Sequence, residues 1–148
     1  MDKESLHREL VDILSRELDM LVAAQKLSSE GVTHADARAD GTKDMRATEA
    51  SYIARGQALR VAALREDLDR VRALRLRAFS ETSVVALSAL VQLLDDEERA
   101  FWVFLAPAGG GSRVGDDVRV ITPASPLGRA LLGKRVGETL KIPVYLYE

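Results

Sequence analysis

The sequence predicts an α+β fold: an N-terminal antiparallel coiled-coil helical hairpin followed by a small antiparallel sheet that carries one short helix. Three observations carry that prediction. No proline occurs from Lys3 to Ala78, where alanine, leucine, arginine and acidic residues dominate, which is the composition of long helices. Within that stretch two apolar stripes recur at three- and four-residue steps, the spacing of a narrow interhelical seam. After Phe79 and Ser80 the pattern changes to short β-branched and aromatic runs divided by turn residues. The expected division is therefore an arm over residues 1–79 and a sheet domain over 80–148.

The first helix is marked by Leu6, Leu10, Ile13, Leu14, Leu18 and Leu21, the second by Val61, Leu64, Leu68, Val71 and Leu74. Residues 30–44 lack large apolar side chains and carry Gly31 and Gly41, so the seam is interrupted and the chain is expected to reverse there. The two stripes can then bury each other in a hairpin arm about 50 Å long, at ~1.5 Å per residue, with a polar tip near residues 34–46. Strands are expected over residues 84–93, 100–105, 118–121, 139–142 and 144–147. The acidic run from Asp95 to Glu98 reads as a hairpin turn, and the glycine-rich residues 107–112 as a loop. One helix interrupts the strands: Ser125 caps it, Pro126 occupies its first position, Leu127, Leu131 and Leu132 form its apolar face, and Gly133 ends it. Of the aromatic residues on predicted strands, Phe101, Trp102, Phe104, Tyr145 and Tyr147, alternate members are expected in the core, with Trp102 exposed or closing an edge.

Composition narrows the function. The 148 residues are 47% hydrophobic and 30% charged, ordinary for a folded domain, and 21 basic against 23 acidic residues give a net charge of −2. No basic excess points to nucleic acid, so specific DNA binding is not expected. The absence of cysteine excludes a disulfide scaffold, a thiolate metal site and a cysteine nucleophile, and makes a reducing cytoplasm the expected location. The most apolar window, residues 84–94, is about half of what a bilayer span requires. No nucleophile, histidine dyad or phosphate loop appears, so an autonomous enzyme is not expected.

Two segments resemble a known family. Residues 121–138, ITPASPLGRALLGKRVGE, resemble the SPIARALIGK.VGD signature of the bacterial transcript cleavage factors GreA and GreB. Residues 45–60, MRATEASYIARGQALR, are similar to the start of the second helix of Gre-like proteins, some of which carry EASYLARGQ. The order, hairpin first and sheet second, is also the family's. The resemblance implies a coiled-coil arm joined to an FKBP-like domain, which docks on the rim of the secondary channel of RNA polymerase while the arm points towards the active centre. It implies a monomeric accessory factor whose partner is the coiled coil of the polymerase's largest subunit, and which reaches the nascent RNA 3′ end only indirectly. Ser125, Pro126 and Arg129 become the docking candidates, with Ala124 where the family often has an acid.

At the tip the resemblance implies carboxylates that assist a weakly held Mg²⁺ of the polymerase, with no cofactor of the factor's own. Mg²⁺ takes oxygen ligands and keeps several waters, one of which can attack the RNA. The tip offers Asp36, Asp40 and Asp44, which a continuous helix would place on one face. Counting back from Gly56, the family's helix glycine, Asp40 falls on the family's tip glutamate, while its other tip acid falls on Ala37 beside Asp36. His34 in the same stretch is read as solvent-facing and given no role. The arginines at 55, 60, 65, 70, 72, 75 and 77 are interleaved with Glu66, Asp67 and Asp69, and read as a solvated flank. Three functions compete: stimulation of the cleavage of backtracked RNA, occupation of the same channel without cleavage, and, on fold analogy alone, prolyl isomerisation.

Overall fold

The computed structural model describes the backbone of residues 1–37 and 43–141, and the side chains of residues 1–28 and 48–141. Two long helices come first, α1 (Lys3–Ala37) and α2 (Lys43–Arg72). A four-stranded sheet follows, built from β1 (Leu90–Leu94), β2 (Ala100–Leu105), β3 (Arg113–Val114) and β4 (Val118–Ile121), and then a short helix, α3 (Pro126–Leu131). The α+β class and the order of its parts are those the sequence predicts. The described structure falls into two compact units: Leu14–Leu68 in one, and Met1–Ile13 together with Asp69–Glu148 in the other.

In the helical unit, Leu14, Val61 and Leu68 are buried, and Glu17, Met20 and Leu21 of α1 flank Arg60, Ala63 and Leu64 of α2. In the other unit Leu6, Leu10 and Val71 are buried, and the His7 ring nitrogen Nε2 lies 2.6 Å from the Val71 carbonyl oxygen. Partners advance along α1 as they recede along α2, the antiparallel pairing the two stripes predict. Asp2 starts α1 by taking the Glu4 N–H on Oδ1 at 3.2 Å and the Ser5 hydroxyl on Oδ2 at 2.8 Å.

One boundary differs from expectation. Residues 30–37 continue α1 and residues 43–44 begin α2, so most of the expected reversal is helical. A single glycine such as Gly31 costs a helix only about 1 kcal/mol relative to alanine, too little to end one of 35 residues.

The expectation of an antiparallel sheet is corrected at one pairing. The strand order is β1-β2-β4-β3; β1 with β2 and β3 with β4 are antiparallel, whereas β2 and β4 run parallel. The loop over residues 106–112 carries the chain past the neighbouring position, so that β3 becomes the outer strand and β4 inserts beside β2. As one of the two inner strands, β2 buries three successive residues, Val103, Phe104 and Leu105, on both faces, so burial at its end does not alternate. Trp102 is half-buried and lines a cleft beside β1.

The first strand begins later than predicted. Ser88 is fully buried at φ 73, a left-handed conformation that an extended ladder does not accept. It is held there because its N–H donates to the Leu105 carbonyl at 2.8 Å while its hydroxyl accepts the Arg77 N–H at 2.9 Å. Val85, read as strand, instead exchanges backbone bonds with the exit of α3, donating to Lys134 and accepting from Gly133, both at 2.9 Å. Residues 139–141 are not strand, and the rest of the predicted run, with residues 144–147, Tyr145 and Tyr147, lies outside the described residues.

The base of α1 packs into the sheet unit. Leu10 fits against Gly109 and Leu6 against Gly115, where an added Cβ would lie 2.8 Å and 2.6 Å from leucine methyl carbons. Glu9 accepts the Gly115 N–H at 2.8 Å beside them.

Candidate functional site

The segment that carries the most specific sequence signal, residues 121–138, folds into a turn and a capped helix. At residue 122 the chain leaves β4, and the Thr122 carbonyl turns back to accept the Ser125 N–H at 3.1 Å and the Ser125 hydroxyl at 2.7 Å. Ser125 adopts extended backbone angles, φ −70 and ψ 155, and its Oγ accepts the Gly128 N–H at 3.0 Å, satisfying a donor that the first turn of a helix leaves free. Pro126 follows at the first helical position, where its missing N–H costs nothing. Leu132 is the C-cap, and Gly133 at φ 79 supplies the left-handed residue beyond it.

Burial divides this helix into two sides. Leu131 is buried and Leu127 half-buried, which fixes α3 to the domain, while Leu132 at the cap is exposed instead of completing the apolar face. Pro126, Arg129 and Ala124 are exposed, and Ser125 is partly so. The surface therefore offers a rigid proline ring and a cation one helical turn apart, with no acid in the first turn of α3.

Gly128 was not singled out by sequence reasoning, yet it sets the geometry. A Cβ built on it would meet the Thr122 carbonyl oxygen at 1.8 Å, its carbon at 2.8 Å and Ser125 Oγ at 3.0 Å. Its local signal is the glycine itself, a poor helix former within a helix of six residues.

The tip acids are reached only in part. Asp36 belongs to the last turn of α1 and Asp44 to the first turn of α2, so they are not positions along one helix face. Asp40 lies outside the described residues, and the side chains of Asp36, Asp44 and His34 lie outside the described side chains. Among the described residues no group of three His, Asp or Glu side chains is placed to hold a metal ion. The α2 arginines at 55, 60, 65, 70 and 72 are exposed, and Arg55 stacks 5.7 Å from the Tyr52 ring.

One cluster has no linear signal at all. Lys3 and Arg77, far apart in sequence, both approach the Phe79 ring, at 4.8 Å and 5.4 Å, and Lys3 donates to the Arg77 carbonyl at 2.5 Å. Partial burial, then the neighbouring Arg77 charge, hold the Lys3 ammonium below the usual lysine range. No helix among the described residues is long and apolar enough to cross a membrane.

No protein-family model matches the chain, and no curated protein matches it. Solved structures to which it is similar include the transcription factor Gfh1, at 24% identity over 90% of this chain and 84% of that one, with a TM-score of 0.40. They also include GreA factor homolog 1 (Gfh1) of Thermus thermophilus, at 25% identity, 89% and 84% coverage and a TM-score of 0.41. Gfh1 of Thermus aquaticus is 23% identical, with 88% and 83% coverage and a TM-score of 0.39.

Proposed function

We propose that the chain is a Gre-like transcription factor that binds RNA polymerase, with residues 80–148 as the docking domain and residues 1–79 as an arm for the secondary channel. The observation that carries this reading is the segment 121–138. Its residues resemble the family signature, and they form an exposed Pro126–Arg129 surface on a helix pinned from beneath by Leu131. Ser125, Pro126 and Arg129 dock against the largest-subunit coiled coil, and the factor acts as an accessory in the cytoplasm.

At the tip, Asp40, with Asp36 or Asp44, supplies carboxylate oxygen to Mg²⁺ held by the polymerase and so stimulates cleavage of backtracked RNA. The second reading, a regulator that fills the channel without cleavage, is favoured by one feature, Ala37 in place of the family's other tip acid. The test is a stalled, backtracked elongation complex in which the RNA 3′ end is followed. Asp40→Ala is expected to slow cleavage on the order of 10²-fold at saturating factor, while changing stability by less than about 0.5 kcal/mol. Equal rates with and without Asp40 remove it from the mechanism. Slowed elongation with no cleavage selects the second reading, and failure to bind polymerase at low salt rejects both.

A further inference from the structure

Each helix of the arm carries a second stripe beside the seam that joins the two. On α1, Glu17, Met20, Ala24 and Leu27 recur at three- and four-residue steps, and on α2 so do Ile53, Gly56, Arg60, Ala63 and Asp67. Residues so spaced share one side of a helix, and none of these is buried. Glu17 and Met20 of α1, with Arg60, Ala63 and Asp67 of α2, wall a cleft of about 440 Å³. Met20, Leu27 and Ile53 are 73%, 70% and 59% exposed, and a Cβ added to Gly56 would have nothing within 4 Å. A side that repeats the seam spacing with large apolar and small residues suits packing against a further helix pair.

The charges along the groove select the partner. Because α1 and α2 run antiparallel, Glu17 and Asp67 stand at one end of the cleft and Arg60 at the other, Arg60 preceding Asp67 by about 10 Å along α2 at ~1.5 Å per residue. Within one copy Arg60 and Glu17 form no ion pair among the described residues. A second copy, turned by half a rotation about an axis through the middle of the groove, brings its acidic end to the first copy's Arg60 and its own Arg60 to the first copy's acidic end. The groove is thus complementary in charge to itself. Ala63 lies midway between the two ends, where a small side chain lets the helices approach.

We propose that two copies of this chain associate through this flank as an isologous dimer, with Arg60 of each facing Glu17 of the other and Met20 covered between them. The association does not rest on the reading in transcription, and it replaces the monomer that the family resemblance implies. Sedimentation equilibrium of the intact chain from about 1 μM to about 500 μM tests it, and a monomer–dimer equilibrium is expected within that range. Arg60→Glu alone and Glu17→Arg alone each set like charges against each other at both symmetry-related contacts, and each is expected to raise Kd on the order of 10-fold. In an equimolar mixture of the two variants every altered charge faces its opposite again, and Kd is expected to return to within about 3-fold of the unaltered chain. Both positions are exposed, and helical circular dichroism is expected to be the same in all three proteins. A chain that stays monomeric at the top of the range overturns the proposal. A dimer indifferent to both substitutions uses another surface and overturns it too, as does a mixture that associates no more tightly than the single variants. A monomer whose Arg60→Glu variant loses polymerase in a pull-down assigns the flank to the polymerase instead, which overturns the dimer and leaves the reading in transcription standing.

Discussion

Replacing Gly128 with alanine is the sharpest test of the turn before α3, because two physical effects predict opposite signs. Helix propensity favours alanine over glycine by up to about 1 kcal/mol. Against it stands the 1.8 Å approach of an added Cβ to the Thr122 carbonyl oxygen. The obstacle is backbone, not the end of a flexible side chain, so the turn itself must move by more than about 1 Å to reach ordinary contact. That displacement pulls Thr122 O from both the Ser125 N–H and the Ser125 hydroxyl, at a cost of about 2 kcal/mol for two hydrogen bonds. It also loosens the Ser125 cap on the Gly128 N–H, about 1 kcal/mol more. The net expectation is a loss of about 2 kcal/mol. Urea unfolding followed by Trp102 emission reads it, since that tryptophan lies in the same unit. An unchanged or raised midpoint refutes the reasoning, for it means that the turn opens freely.

Other consequences follow from single contacts. Ser125→Ala is expected to cost about 1 kcal/mol through the lost cap, whereas Arg129→Glu, on an exposed position, is expected to leave the urea midpoint within about 0.5 kcal/mol and to weaken polymerase pull-down. Gln57 Oε1 is buried without a hydrogen-bond partner among the described residues, so Gln57→Leu is expected to raise stability by about 1 kcal/mol in thermal unfolding by circular dichroism. The Asp2 carboxyl is held below its usual value of 3.8, first by the Ser5 hydroxyl and then by backbone N–H bonds. A depressed folded pKa contributes stability that is present above 3.8 and lost as pH falls through the lower folded value, so Asp2→Asn is expected to flatten that acid limb of the stability curve.

What could be read in the sequence follows the physics of each element. The helix stripes were legible because burial repeats along a single helix, and β2 and β4 appear at their predicted bounds because each is a short β-branched run between turns. The cap of α3 was legible because Ser125 and Pro126 act on their immediate neighbours. Features fixed by distant partners were not. The late start of β1 depends on Ser88 being gripped by Leu105 and Arg77, and β3 has only two residues, too few for a pattern. The same holds at the candidate site: Ser125, Pro126 and Arg129 could be named from the sequence, but the Thr122–Gly128 approach is a property of two segments brought together.

The seats of Leu6 on Gly115 and of Leu10 on Gly109 bear on the timing of synthesis. The compact unit that holds the sheet takes in the first thirteen residues of the chain as well as those from Asp69 onward. A ribosome therefore releases the opening turns of α1 long before the loops that receive them exist. In the interval α1 and α2 can zip together through near neighbours, whereas the sheet unit must wait for both ends of the chain. During translation, Leu6 and Leu10 therefore wait for residues more than 90 positions later before Gly109 and Gly115 can cover them.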